Sequence, residues 1–307
     1  MTPSASQDPA SRVEKFWDES AENKAEIIAT FWTAHPLVQE RLSRKIAGDP
    51  AVNMYVFAKS YLEQQGVRFP VARAGSLGCG TGDLERGLAQ IGVARELWGY
   101  DVSPGSIAIA AQQAQSIEAA QLNYQVMDLN APTLGEGRFD IIFATSSVHH
   151  VEALELLADS IARALVPGGW LVMHEYIGPT RFQWTDRQQE LMNAVLDSLP
   201  VELRTTVAGR VKSGLLRPTI EEMIEVDPSE SVRSADIMSV FGERFDIVLQ
   251  RDYGGTLLQF LLAEIVHNFK GVMGEAVLKQ IFLIEDLAIE SGELRSDFTF
   301  AVLRPKV

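Results

Sequence analysis

Cysteine is nearly absent, since Cys79 is the only one in 307 residues. That excludes an intrachain disulfide and a zinc site built on several thiolates, and it fits a reducing cytoplasm. Long apolar runs are also missing: no stretch reaches the roughly 18 residues that a membrane span needs. The opening residues MTPSASQDPASRVEKF lack the basic segment and apolar run of an export signal, so a cytoplasmic protein away from the membrane is expected. Positive charge is scarce, with 27 Lys and Arg against 41 Asp and Glu, a net charge of −14. Such a chain repels a phosphate backbone at long range, which argues against a nucleic-acid partner. No internal repeat or low-complexity tract is visible.

Apolar residues make up 46% of the chain, enough for a sizeable core. Residues 1–12 read as a loose leader rich in Ser, Ala, Pro and Gln. Helical periodicity then begins with Val13, Phe16, Trp17, Ile27, Ile28, Phe31 and Trp32. It continues after Pro36 with Leu37, Val38, Leu42 and Ile46, and a further helix is expected over about 52–65. Residues 1–70 are therefore expected to be a helical extension that closes over the main domain. From about 71 to 175, short apolar runs alternate with amphipathic segments, the order of a parallel sheet with crossover helices. Strands are predicted near 73–77, 97–101, 123–127, 140–144 and 170–174, with Val166-Pro167-Gly168-Gly169 as breakers after the last intervening helix. Further strands near 245–249 and 297–303 enclose two helices, about 257–269 and 272–289. The expected architecture is an α/β fold, a Rossmann-like doubly wound seven-stranded sheet. It is mostly parallel with an antiparallel late strand, and carries a helical lid. Residues 71–307 form the main domain, with helical insertions at about 177–241 and 251–296.

The strongest local signal is Gly78-Cys79-Gly80-Thr81-Gly82-Asp83, a tight turn after a strand that opens a helix. A dinucleotide fingerprint would need a third glycine where Asp83 stands. A carboxylate at a helix N-terminus opposes a pyrophosphate, so a nicotinamide oxidoreductase is disfavoured. A ligand carrying an ammonium and a sulfonium would be tolerated there. Asp101 closes the next strand at the same rim, where its carboxylate can accept both hydroxyl protons of a ribose, with capping of the helix that follows as the lesser alternative. Asp128 can accept from an adenine amino group, or serve the turn before Ala131-Pro132, and Met127 can cover the ring.

These motifs, with the strand Phe139–Ala144 running into Ser147-Val148-His149-His150-Val151 and with Leu165–Gly169, resemble the class I S-adenosylmethionine-dependent methyltransferases. The likeness is to their small-molecule branch and covers about residues 70–178 and the final strands. It implies S-adenosylmethionine as cofactor, S-adenosylhomocysteine as product and a small-molecule acceptor; a homodimer is compatible with it. It places Gly78, Gly80 and Gly82 along the methionine portion, Asp101 at the ribose and Asp128 at the adenine. Cys79, Val102, Leu129 and Thr145 complete the expected cofactor lining. One departure is Ser76, which stands where many relatives carry an acid two positions before the first glycine. Asp83 or the N-terminal helices are the candidates to compensate.

Methyl transfer is an in-line displacement from a good leaving group, so positioning, exclusion of water and removal of one proton are the protein's tasks. His149 and His150 follow the fourth strand, beside the expected methyl position, and imidazole titrates near neutrality. Only one of two adjacent residues should face the acceptor, and the resemblance favours His150. Glu175, on the opposite side of its strand from His174 and Tyr176, is the third catalytic candidate. Arg181, Gln183 and Trp184 are further candidates from the cap, and Trp17, Phe31, Trp32 and His35 could close over the site or simply form core. No metal is expected: Glu264 and His267, three apart on a predicted helix, could join His149 or His150 around one, but a satisfied buried pair is the commoner arrangement. The rival reading is a non-catalytic nucleoside- or metabolite-binding module that retained the cofactor site.

Overall fold

The computed structural model describes residues 9–22 and 30–306; residues 1–8, with Ile27 and Ile28 of the predicted apolar stripe, lie outside them. Seven strands form one sheet in the order β3-β2-β1-β4-β5-β7-β6. They are β1 (Val71–Leu77), β2 (Ala94–Asp101), β3 (Gln121–Val126), β4 (Phe139–Thr145), β5 (Leu165–Tyr176), β6 (Phe245–Gly254) and β7 (Phe298–Pro305). The first five pair in parallel, and β7 runs antiparallel to both β5 and β6. Strand order reverses between β1 and β4, so the loops after β1, β2 and β4 meet at one rim, the usual place for a ligand in such sheets.

Side-chain alternation divides the core into two layers. Ala74, Leu97, Ile141, Phe143 and Val172 face one layer, with helices of the N-terminal and late segments packed on them. Leu77, Ile142, Ala144, Leu171 and Met173 face the other, against α6 (Leu154–Ala164) and α9 (Ile237–Arg244). The crossover helices α4 (Asp83–Gln90) and α5 (Pro104–Ala114) start at the ligand rim. Ser103 caps α5 by accepting from the Ser106 N–H, with Pro104 at the first helical position, where its missing N–H costs nothing.

The N-terminal extension comprises α1 (Pro9–Glu22), α2 (Pro36–Ala47) and α3 (Met54–Gln64). Helix begins at Pro9, inside the segment expected to be loose. Arg41 of α2 ties the extension to the late part of the chain: it donates to Glu285 at 2.9 Å, and Glu285 also accepts from the Gly255, Leu257 and Leu258 N–H groups. Glu285 lies on α11 (Gly271–Glu290).

Two local predictions differ from the structure. Residues 166–169, read as helix breakers, belong to β5 as a bulge between the pairs Phe139–Leu165 and Ile141–Trp170, a position that tolerates proline inside a sheet. The helix predicted over 257–269 stops at α10 (Leu258–Leu262). Glu264 takes a left-handed φ of 65°, and Lys212 Nζ donates to the Phe260, Leu261 and Ala263 carbonyls that the ended helix leaves over.

Two carboxyls are buried at a cost that pH can expose. Burial pushes both Glu85 of α4 and Asp297 up to about 7, and neither Glu85 oxygen has a hydrogen-bond partner among the described residues. A carboxyl held above its unfolded value binds its proton more tightly in the folded state. Its stabilising contribution is therefore complete below about pH 4 and disappears as pH rises through 7. For Glu85 the effect is up to about 3 kcal/mol. Glu85→Gln is thus expected to raise the melting temperature by a few degrees at pH 8, with the gain vanishing near pH 4.5; a gain independent of pH would show that Glu85 ionises normally.

Candidate active site

At the rim where strand order reverses, a cavity of about 320 Å³ is lined by Gly78 and Gly80 of the glycine turn, Asp101 and Val102 after β2, and Asp128 and Leu129 after β3. His150 and Val151 line it beyond β4. Val13 and Trp17 of α1 cover one side, and Pro228, Ser229 and Val232, from the loop after α8 (Ile220–Val226), close another.

The glycine turn has a steric origin. Gly78 has φ 67°, and a Cβ there would stand 2.2 Å from the Ser147 Cβ, so only glycine lets the loops after β1 and β4 touch. Asp101 then joins the turn to the next strand: its Oδ2 accepts from the Gly80 N–H at 2.8 Å and its Oδ1 from the Ser103 N–H at 2.9 Å. Burial raises its pKa, and the nearby Asp18 adds to the rise. Each carboxylate oxygen keeps a second acceptor site, so this bonding leaves capacity for ligand hydroxyls. Asp128 Oδ1 accepts from the Asn130 N–H at 2.8 Å, so it serves the turn as well as lining the cavity.

The other expected cofactor residues do not line the cavity. Cys79 is buried, with its N–H on the Tyr100 carbonyl. Gly82 starts α4 with φ 81°, where a Cβ would press on the Tyr124 hydroxyl at 2.6 Å, so its role is packing. Met127 is buried in the core and its sulfur accepts from the Thr133 N–H. Thr145 Oγ1 lies 3.0 Å from the Tyr55 hydroxyl. Neither candidate for the missing acid at Ser76 fills it: Asp83 is 63% exposed and ion-paired with Arg86, and Asp18 of α1 bonds Ser103 and the Gly105 N–H instead. The carboxyl that does return to this place is Glu85, for which Ser76 is a polar neighbour.

The catalytic candidates form one cluster with unequal access. Val148–His150 make a short 3-10 turn, and the two imidazole centroids are 4.2 Å apart. His150 lines the cavity; His149 and Glu175 stand behind it. Glu175 is fully buried and accepts from the Ser147 N–H at 2.7 Å, the Val148 N–H at 2.8 Å and His149 Nδ1 at 2.8 Å. Burial alone would raise the Glu175 carboxyl, but His149 and these amides hold it below its ordinary value. Burial would likewise lower His149, yet Glu175, Glu230 and Asp227 hold it above. His150 is depressed by burial and by the neighbouring His149. Its Nδ1 is 3.1 Å from Ser229 Oγ, and Trp17 packs edge-on against it at 5.0 Å.

Of the remaining candidates, only Trp17 reaches the cavity. Phe31 is half-exposed, Trp32 is core, and His35 caps α2 and meets the Phe269 carbonyl. Arg181 donates to the Glu230 carbonyl, Gln183 to loop carbonyls, and Trp184 packs on Phe260. Glu264 is exposed on a left-handed turn and His267 lies in a separate 3-10 turn, so they do not share a helical face. Asp227 and Glu230 were missed. Their only signal was Asp227-Pro228-Ser229, ordinary turn chemistry, with Asp227 Oδ1 accepting from the Ser229 N–H and hydroxyl. A second cavity of about 410 Å³ lies at the opposite rim, by Pro70 and the β5 bulge, and holds none of the motif residues.

Residues 75–173 match a family model described as a methyltransferase domain. By that model these residues are a methyltransferase domain. Over 111 residues the chain is 32% identical to a ubiquinone biosynthesis O-methyltransferase of Coxiella burnetii, covering 36% of this chain and 46% of that enzyme. Over 101 residues it is 31% identical to an uncharacterized protein of Synechococcus, covering 33% of this chain and 24% of the relative. The chain thus spans under half the length of these curated relatives. Among solved structures, the cyclase SpnF aligns with 97% of this chain and 96% of its own at a TM-score of 0.53 and 16% identity. Phosphoethanolamine N-methyltransferase 2 of Haemonchus contortus aligns with 92% of this chain and 60% of its own at 0.51 and 14%. Both likenesses are of fold. Among the described residues, no helix is long and apolar enough to cross a membrane.

Proposed function

We propose that the protein transfers a methyl group from S-adenosylmethionine to a small-molecule acceptor, assisted by the histidine pair. The observation that carries this reading is a shared cavity, lined by Gly78, Gly80 and Asp101 together with His150. When bound, the cofactor supplies an activated methyl on a sulfonium. Backbone at Gly78 and Gly80 would lie along its methionine portion, Asp101 would take the ribose hydroxyls, and Asp128 with Leu129 would flank the base. Trp17 and Val13 exclude water from the same space. His150 faces the acceptor and assists the loss of its proton, while Glu175 and His149 hold the turn that carries it. Coverage by α1 and the Pro228–Val232 loop leaves room for a small acceptor and little for a polymer, in keeping with the acidic chain.

Titration calorimetry with S-adenosylmethionine, S-adenosylhomocysteine and NAD tests the donor. Binding of the first two and not the third is expected; binding of NAD alone would replace this reading by an oxidoreductase.

A further inference from the structure

We propose that His149, His150 and Glu230 form a site for one divalent transition-metal cation at the acceptor end of the cavity, contrary to the expectation of no metal from the sequence. One ring nitrogen of each histidine and a Glu230 oxygen lie within 4.8 Å of one another. Bonds from such ligands are about 2.0–2.2 Å long, so two of them span up to about 4.4 Å and small side-chain adjustments close the set on one ion. The two segments are tied together independently of the ligands. The Val232 N–H donates to the His149 carbonyl at 3.1 Å, and Arg181 donates to the carbonyls of Ser231 and Glu230.

The surroundings suit a cation better than they suit the histidines alone. Glu175 holds His149 through Nδ1, which turns Nε2 toward Glu230 Oε1 at 3.8 Å, the carboxylate–histidine arrangement that orients imidazole ligands in metal sites. Three carboxylates surround the pair: Glu175, Glu230 and Asp227, the last 2% exposed, with Oδ2 lacking a hydrogen-bond partner among the described residues and 3.6 Å from His150 Nδ1. Arg181 is bound to the Glu230 backbone carbonyl rather than to one of these carboxylates. A divalent ion held there would place positive charge among these carboxylates.

Two imidazoles and one carboxylate select zinc, cobalt, nickel, manganese or iron(II) over magnesium and calcium. Because His150 lines the cavity, an ion held by this set would be within reach of an acceptor oxygen. This deepens and rests on the methyltransferase reading: the imidazoles assist as ligands, and the acceptor is a hydroxyl compound. Such an ion would acidify a bound hydroxyl, whose proton would pass to solvent. The oxygen lone pair then forms the bond to the methyl carbon as the carbon–sulfur bond breaks and its pair returns to sulfur, giving ether, thioether and one proton.

Cobalt(II) added to the chelator-stripped full chain tests the site. Visible absorption bands and a calorimetric stoichiometry of one per chain are expected, with displacement by zinc. Glu230→Gln and His149→Ala should each weaken cobalt binding at least about 100-fold, while Glu264→Gln should bind as the parent does. S-adenosylhomocysteine should bind the stripped protein normally, which separates this inference from the cofactor reading. Normal cofactor binding with no cobalt bound, or cobalt bound equally by the Glu230 and His149 variants, overturns it; so does methyl transfer unaffected by chelation.

Discussion

Asp101→Ala is expected to bind S-adenosylmethionine and S-adenosylhomocysteine at least about 100-fold more weakly than the parent by titration calorimetry. A hydrogen bond to a charged group contributes about 1.5–3 kcal/mol, so losing a bidentate ribose contact costs about 3–6 kcal/mol, or roughly a factor of 100 to 10,000. The same substitution removes the acceptor of the Gly80 and Ser103 N–H groups, which shape the turn the ligand rests on. Asp101→Asn separates the two contributions. One end of the amide can still accept, but its NH2 must face one of those two N–H donors, so intermediate affinity is expected. Circular dichroism on both variants guards against simple unfolding. Affinity within threefold of the parent in a folded Asp101→Ala would remove this carboxylate from cofactor binding and leave the cavity without its ribose end.

The mostly parallel seven-stranded sheet and the meeting of its first loops at one rim were legible because they depend on local features. Alternating apolar runs and crossover helices determine a parallel sheet, and a parallel sheet carries every βα loop to the same side. Gly78, Asp101 and Asp128 were therefore placed together without knowledge of any contact between them. The wall around His149 was not legible, because it is made by Glu230 and Asp227, some 80 positions further on in a loop with no periodicity. The docking of α1 escaped for a similar reason. Asp18 reaches the start of α5, and Arg12 donates to the Ile224 and Glu225 carbonyls at the end of α8, so one helix bridges two helix termini whose sequences show only ordinary caps. At Glu264 a regular apolar period continued past the point where the backbone turns left-handed, since Lys212 satisfies the carbonyls of the broken helix from outside the segment. The period was real, and the helix was not.

The largest catalytic effect is expected away from the cavity surface, at Glu175. Its carboxylate accepts two consecutive backbone N–H groups and His149 in a site with no access to water. Glu175→Ala leaves those donors buried without partners, a change of the kind that costs about 3–5 kcal/mol, and it frees the turn that aims His150. Turnover should fall by about 1,000-fold or more, with affinity for S-adenosylhomocysteine reduced far less because Asp101 and the glycine turn stay in place. Glu175→Gln discriminates positioning from charge. The glutamine oxygen can keep the Ser147 and Val148 amides, but its neutral NH2 cannot hold a proton on His149, so the imidazole that Glu175 now keeps above the ordinary histidine value should titrate lower. A raised histidine retains its proton to higher pH, and losing the carboxylate shifts that titration downward. The His149 titration itself should therefore move to lower pH in Glu175→Gln, while the Ala variant stays inactive at every pH. An unshifted histidine resonance in the Gln variant, followed by NMR titration, would mean that His149 takes its charge from Glu230 and Asp227 and that Glu175 acts on the backbone alone.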